Sequence, residues 1–284
     1  MTSKDADLSG DAVAGAPVSM PWSMVALWLA LVALASMVAL HLAYINGDGF
    51  FYLAHGRYFL AHGLPDLDPF SDTSIRTPLI VHMLLPMLAF AALEPHIGVA
   101  GLVVVTALFG AGVLALFLAP ARRSLVAMVV GAAVLALLLR VDHEFFEVRG
   151  QIYAYAPFAV WLALCRRARA LAPRALPSPQ LLALAFVTAA LWANTHPSFL
   201  LAVALPLTLL LVERRPHRAL ALLAFLALAS SLASPYGPRL LVDALALVFD
   251  ETTQRIDHMR SPPVSLAWCA LVTAIAGLAV ARIS

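Results

Sequence analysis

What constrains this chain most is a succession of apolar runs separated by short turns. The runs cover about 22–43, 79–93, 98–119, 124–140, 151–165, 180–195, 198–213, 219–235 and 266–281. A bilayer core about 30 Å thick is crossed by ~20 apolar residues of helix, usually ~17–25. Several runs are shorter, so their helices are expected to extend into flanking polar residues or to thin the bilayer locally. A soluble fold cannot absorb this pattern. Hydrophobic residues make up 62% of the 284 and charged residues 12%, against about 45–50% and about 25% in soluble domains. Disorder, collagen and coiled coil fail on the same numbers. The chain reads as an all-α polytopic membrane protein.

The first run is read as an anchor and not a secretory signal. Its leader sets Asp5, Asp7 and Asp11 against Lys4, where a signal needs a basic start. Residues 1–21 are expected to form a disordered cytoplasmic tail and 22–284 the transmembrane domain. Orientation turns on the run 79–93, which holds His82 and Pro86. If that run lies at the interface, eight spans remain, both termini are cytoplasmic, and 11 basic residues lie inside against 7 outside. If it crosses, the count becomes 6 against 12. The positive-inside rule selects the first threading. The acids, not used in that choice, then fall 12 of 16 on the outer face. That face holds a long loop 44–97 and the loops 141–150, 195–198 and 236–265. Loops on a rigid scaffold carry function, so function is expected to face outward.

Neither GxxxxGK[ST] nor GxGxxG occurs, which argues against a nucleotide-driven pump or a nucleotide-sugar enzyme working inside. No nucleic-acid partner is implied. Cys165 and Cys269 lack CxxC spacing and read as buried thiols, with no metal assigned. Loop 44–97 is expected to carry an amphipathic helix around 49–62, whose aromatics suit the headgroup layer.

Six residues are candidates. Asp48, in Asn-Gly-Asp-Gly, is either a general base or metal ligand, or a solvated turn residue. Gly47 and Gly49 would let the backbone approach a ligand closely. Asp68, in PDLDPFSD, forms with Asp66 an oxygen pair for which a divalent cation is the candidate ligand; beside Pro65 and Pro69 it serves equally as cap or turn. Arg149 can clamp a phosphate, pair with Glu147 or Glu144, or snorkel to headgroups. Asn194 and His196 interrupt an apolar hairpin, either to orient a substrate hydroxyl or phosphate or to satisfy helix ends. Trp192 beside them is expected as an interfacial anchor. His82 is the sixth.

In order along the chain, these pieces resemble the GT-C class of membrane glycosyltransferases, specifically a bacterial branch of polyprenyl-phosphate-sugar-dependent types. Asp48 stands eight residues before Gly56; Pro65, Asp68, Phe70 and Ser71 match P-x-x-D-x-F-S. Arg149-Gly150-Gln151 echoes R-P-Q, and Trp192, Asn194 and His196 match W-x-N-x-H. Ser234-Pro235-Tyr236-Gly237 echoes N-P-Y-G, and Ser261-Pro262 closes the series. The match covers about residues 44–265. It departs at Met83 and His258, where the class has acids. Members are usually longer, so the chain is expected to be a short form or a fragment.

The resemblance implies about eight spans, a large first outer loop with interfacial helices at about 49–62 and 79–93, and residence in the bacterial cytoplasmic membrane. It implies inverting transfer of a sugar from a polyprenyl-phosphate donor to an extracytoplasmic acceptor. Asp48 is then the base, with Arg149, His196, Asn194, His82 and Asp68 binding substrate or phosphate. Membrane lipids are the other partners, and no nucleotide is needed. The missing acids favour an alternative, a non-catalytic subunit that binds lipid-linked sugar or a partner. A transporter is expected to show ionisable residues in mid-span, which these runs nearly lack.

Overall fold

A computed structural model describes residues 22–70, 79–118, 125, 129, 147–213 and 216–249. The tail 1–21, most of the run 124–140, the closing Ser261-Pro262 and the run 266–281 lie outside the described residues. Among the described residues the secondary structure is helical, with one isolated β-bridge between Tyr44 and Glu147 and no strand. The helices are α1 (Trp22–Leu42), α2 (Gly47–His62), α3 (Leu84–Leu118), α4 (Gly150–Arg169), α5 (Pro179–Ala193), α6 (Leu200–Glu213), α7 (Arg218–Ser230) and α8 (Pro238–Phe249). The all-α expectation holds.

Local chemistry sets most boundaries. Asn46 caps α2 by accepting the Gly49 amide at 3.1 Å, and Asp48 adds a negative charge to the first turn, where the helix dipole favours it. Ser178 caps α5 ahead of Pro179, the usual N-terminal pairing. α4 ends on Arg166, Arg167 and Arg169, cations suited to a C-terminus. The second apolar run differs from expectation: its helix begins at Leu84 and not at 79, and residues 79–83 form irregular backbone and a turn.

α3 is two helices joined at Gly98, whose φ of 67° and ψ of 175° break the helical path. That region of backbone space is essentially reserved for glycine. The break falls between the runs 79–93 and 98–119. Unbroken, 35 residues would measure about 50 Å, far more than a bilayer core. The part beyond Gly98 is about 30 Å long, which matches one.

The principal core joins α4, α5, α6 and α7 around Phe158, Trp161, Trp192, Phe199, Leu220 and Leu223. Alanines at 168, 185, 189, 193, 202, 219 and 227 are fully buried among them. Small residues let helix backbones approach closely, the usual device where lipid supplies no hydrophobic drive. The outward faces are also apolar: Leu184, Val187 and Leu191 on α5, Leu207 and Leu211 on α6, and Phe225 on α7 are exposed. Helices apolar all round require an apolar solvent or a covering partner. By length and composition, Leu84–Leu116 is a candidate membrane span, and Arg218–Ala233 with Pro238–Leu247, bent by 106°, is a second if the pair counts as one. The chain thus has the helices of a membrane-associated protein.

The helices sort chemistry to two ends. At one end Arg169 bonds Glu213 at 2.5 Å, and His217 Nε2 lies 3.1 Å from the Leu171 carbonyl, so the two basic turns meet. At the other end the start of α4 meets the α1–α2 linker, and Leu85 donates its amide to the Asn194 carbonyl at 3.0 Å.

Candidate functional site

The polar end is built on Glu147. Its carboxylate is 2% exposed, accepts from Asn46 Nδ2 at 2.7 Å and from the Tyr44 hydroxyl, and forms an ion pair with Arg149, whose Nε lies 2.8 Å away. Val148 donates its amide to the Tyr44 carbonyl at 3.0 Å, so backbone and side chains fasten the linker to the start of α4. A buried carboxylate needs this many donors to remain charged.

Held there, Arg149 presents its Nη2 to Asp48 Oδ2. The guanidinium is 13% exposed and the Asp48 side chain 46%. The sequence left Arg149 between a phosphate clamp, a carboxylate partner and the headgroups; the geometry gives it two carboxylates, one buried and one open. Tyr52 lies beside both, and burial together with the Asp48 charge pushes its phenol up to about 12, with Arg149 opposing. It therefore remains a neutral hydroxyl donor at working pH. Gly49 is spent on packing: a Cβ there would meet Ile45 and the Val148 carbonyl, so its close approach is to protein.

The remaining candidates divide into two groups. Asp68 Oδ1 lies 3.1 Å from His55 Nε2 and accepts the Phe70 amide at 2.9 Å. His55 is enclosed by Phe51, Phe59 and Phe70. Asp68 thus docks the loop after α2 onto that helix, away from Asp48 in its bonding.

The second group gathers around residues 79–85. His82 Nε2 lies 2.8 Å from Asp243 Oδ2 on α8. His196 Nδ1 accepts the Ser198 amide at 3.1 Å and caps the short turn Pro197–Phe199. Asn194 ends α5 and bonds back to the Ala190 carbonyl at 2.9 Å. Burial lowers the His82 pKa against the pull of Asp243. Burial, then neighbouring His82, lowers His196 to about 4. Both rings are neutral at pH 7.

The Asp48–Arg149 cluster and the group around 79–85 are neighbours through Met83, because a Cβ at Gly150 would lie 2.8 Å from Met83 Sδ. His82 faces one cluster while the next residue packs beside Arg149. A cavity of about 360 Å³ opens next to them, lined by Leu84, Leu85, Asn194, Ala233 and Pro235 among others.

Trp192 is corrected. It is 1% exposed, packs on Phe158 and donates to Ser198 Oγ at 3.0 Å, so it is a core residue and no interfacial anchor. Sequence reasoning missed Asp243 as a site residue, since it sat in an apolar periodic stretch 161 positions from its partner. Glu147 was considered only as a partner for Arg149; its bond to Asn46, 101 positions away in sequence, has no local signal. Among the described residues no group of three His, Cys, Asp or Glu side chains is arranged to hold a metal ion. No family model, curated protein or solved structure matches the chain.

Proposed function

We propose that the chain is an inverting GT-C-type glycosyltransferase. It takes its sugar from a polyprenyl-phosphate donor at the outer face of a bacterial cytoplasmic membrane. The observation that carries this reading is the open Asp48 carboxylate backed by an Arg149 that buried Glu147 holds in place. An acceptor hydroxyl gives its proton to Asp48 as its oxygen attacks the anomeric carbon. The carbon–oxygen bond to phosphate breaks, and polyprenyl phosphate leaves with both bonding electrons. Arg149, its side chain 13% exposed, is then the cation for the developing charge on that phosphate. With this goes the topology of about eight spans and cytoplasmic termini. The break at Gly98 supports it, because it lets the residues before it lie at the interface while those after it cross.

The test is transfer from a panel of labelled polyprenyl-phosphate sugars by the full chain in lipid nanodiscs. Asp48→Asn is expected to lose about 10²–10⁴-fold in turnover, the usual worth of a general base, with donor binding kept. Full turnover by Asp48→Asn would remove the base assignment. A wild type that turns over no donor would remove the enzyme.

One observation favours a second reading. Tyr44, Asn46, Glu147, Arg149 and Asp48 satisfy one another, as a purely structural clasp would. A non-catalytic subunit that binds lipid-linked sugar predicts donor binding without turnover in the same experiment.

A further inference from the structure

We propose that His82 and His196 form a neutral acceptor–donor pair that recognises a carbohydrate hydroxyl, and that Asp243 fixes the tautomer this requires. The carbohydrate class rests on the sugar-transfer reading; the preference for a neutral hydroxyl rests on the bonding alone.

A neutral imidazole has one donor and one acceptor nitrogen, and the partner of one decides the other. Asp243 is an acceptor, so His82 Nε2 carries the hydrogen and donates across 2.8 Å. His82 Nδ1 is therefore a lone pair. It is buried, the side chain is 8% exposed, and no described group lies within hydrogen-bonding reach of it. A buried acceptor of this kind is unfavourable unless something donates to it. At His196 the assignment runs the other way. Nδ1 accepts the Ser198 amide at 3.1 Å, so Nε2 carries the hydrogen and is the donor. The Leu85–Asn194 bond, at 3.0 Å, ties their segments together.

One acceptor and one donor are what a hydroxyl needs, since it gives one hydrogen and receives another. A phosphate dianion is the wrong ligand. Its negative charge would face the Asp243 carboxylate behind His82, and the adjoining cavity carries no charged side chain. This departs from the sequence expectation that His82 or His196 holds phosphate, and leaves Arg149 as the cation available for that group.

The test uses the full chain in nanodiscs with ¹⁵N-labelled histidine at pH 7.5, resonances being assigned by single His→Gln variants. In wild type, His82 is expected to show protonated Nε2 and unprotonated Nδ1. Methyl glycosides of common hexoses, added without any lipid donor, are expected to shift His82 Nδ1 and His196 Nε2. Inorganic phosphate is expected to shift neither. Asp243→Asn frees the tautomer, so His82 is expected to show a mixture and the glycoside affinity to fall about three- to tenfold, the worth of one hydrogen bond. Asp243 touches no reacting atom here, and a merely structural role would not change the nitrogen signature. A protonated Nδ1 in wild type, a shift with phosphate but not glycosides, or no shift with any probe would overturn the proposal. If glycosides shift both rings while no polyprenyl-phosphate donor turns over, the hydroxyl site stands and the transferase reading falls. If donors turn over and glycosides leave both rings unmoved, the transferase stands and this site falls.

Discussion

Glu147 shows how much rests on single side chains at the polar end. Two donors and a guanidinium converge on a carboxylate that water barely reaches. Removing it leaves Tyr44, Asn46 and Arg149 without that partner in a low-dielectric setting. Glu147→Ala is expected to destabilise by about 3–5 kcal/mol, and Glu147→Gln by less, because an amide oxygen still accepts from Tyr44. Thermal unfolding in nanodiscs reads both; equal stability of the alanine variant and wild type would refute the hub. The histidines set a pH dependence. His196 falls from 6.5 to about 4 on folding and His82 is lowered too, so between these values the unfolded chain binds more protons. Their contribution is fully present above about pH 6.5 and is lost as pH falls towards 4. A melting temperature that drops across that window is expected, and His196→Asn should flatten the drop. Asparagine keeps an acceptor for the Ser198 amide while removing the titration.

Among elements, the pairing of α2 with the first half of α3 governs the shape of the polar end. Arg57 bonds Glu94 at 2.6 Å, and Gly56 faces Met87 and Ala91 so closely that a Cβ would overlap the Met87 carbonyl. That crossing has no room for a methyl group. Gly56→Ala is expected to cost about 1–3 kcal/mol through forced separation and to loosen the site, since α2 carries Asp48 and Tyr52. The eight-residue spacing from Asp48 to Gly56, read in the sequence as a motif, thus acquires a packing reason. Gly98→Ala is expected to cost a comparable ~1–3 kcal/mol, because the open surroundings offer space but the backbone angles do not suit an L side chain. Protease or hydrogen-exchange protection of 84–97 would fall in both variants.

At the scale of the molecule, the two ends make a sidedness prediction. The turns bearing Arg166, Arg167, Arg174 and Arg218 lie at one end, and Asp48, Arg149, His82 and His196 at the other. With Cys165 and Cys269 replaced by serine or alanine, a reporter cysteine at Arg174 is expected to resist a membrane-impermeant thiol reagent in intact cells. One at Gly47 is expected to react. Both labelling alike, or the reverse pattern, would overturn the proposed orientation. The apolar outer faces of α5, α6 and α7 belong to the same scale: the exposed Leu184, Val187, Leu191, Leu207, Leu211 and Phe225 do not ask for water.

Composition and spacing by themselves determined the class. With 62% hydrophobic residues in runs of helical length, backbone groups must be satisfied within each segment, and helix is the solution a short run of alanine and leucine can supply. The turns and the helix around 49–62 were legible for the same reason: each rests on local interactions between residues a few positions apart. Tertiary structure decided the rest. Whether Arg149 faces phosphate or carboxylate, whether Trp192 sits at an interface or in the core, and which acid meets His82 all depend on pairs about 30 to 160 positions apart. Sequence spacing carries no distance at that range. Only the packing of α2, α4, α5 and α8 against the segment 79–85 brings those groups within reach of one another.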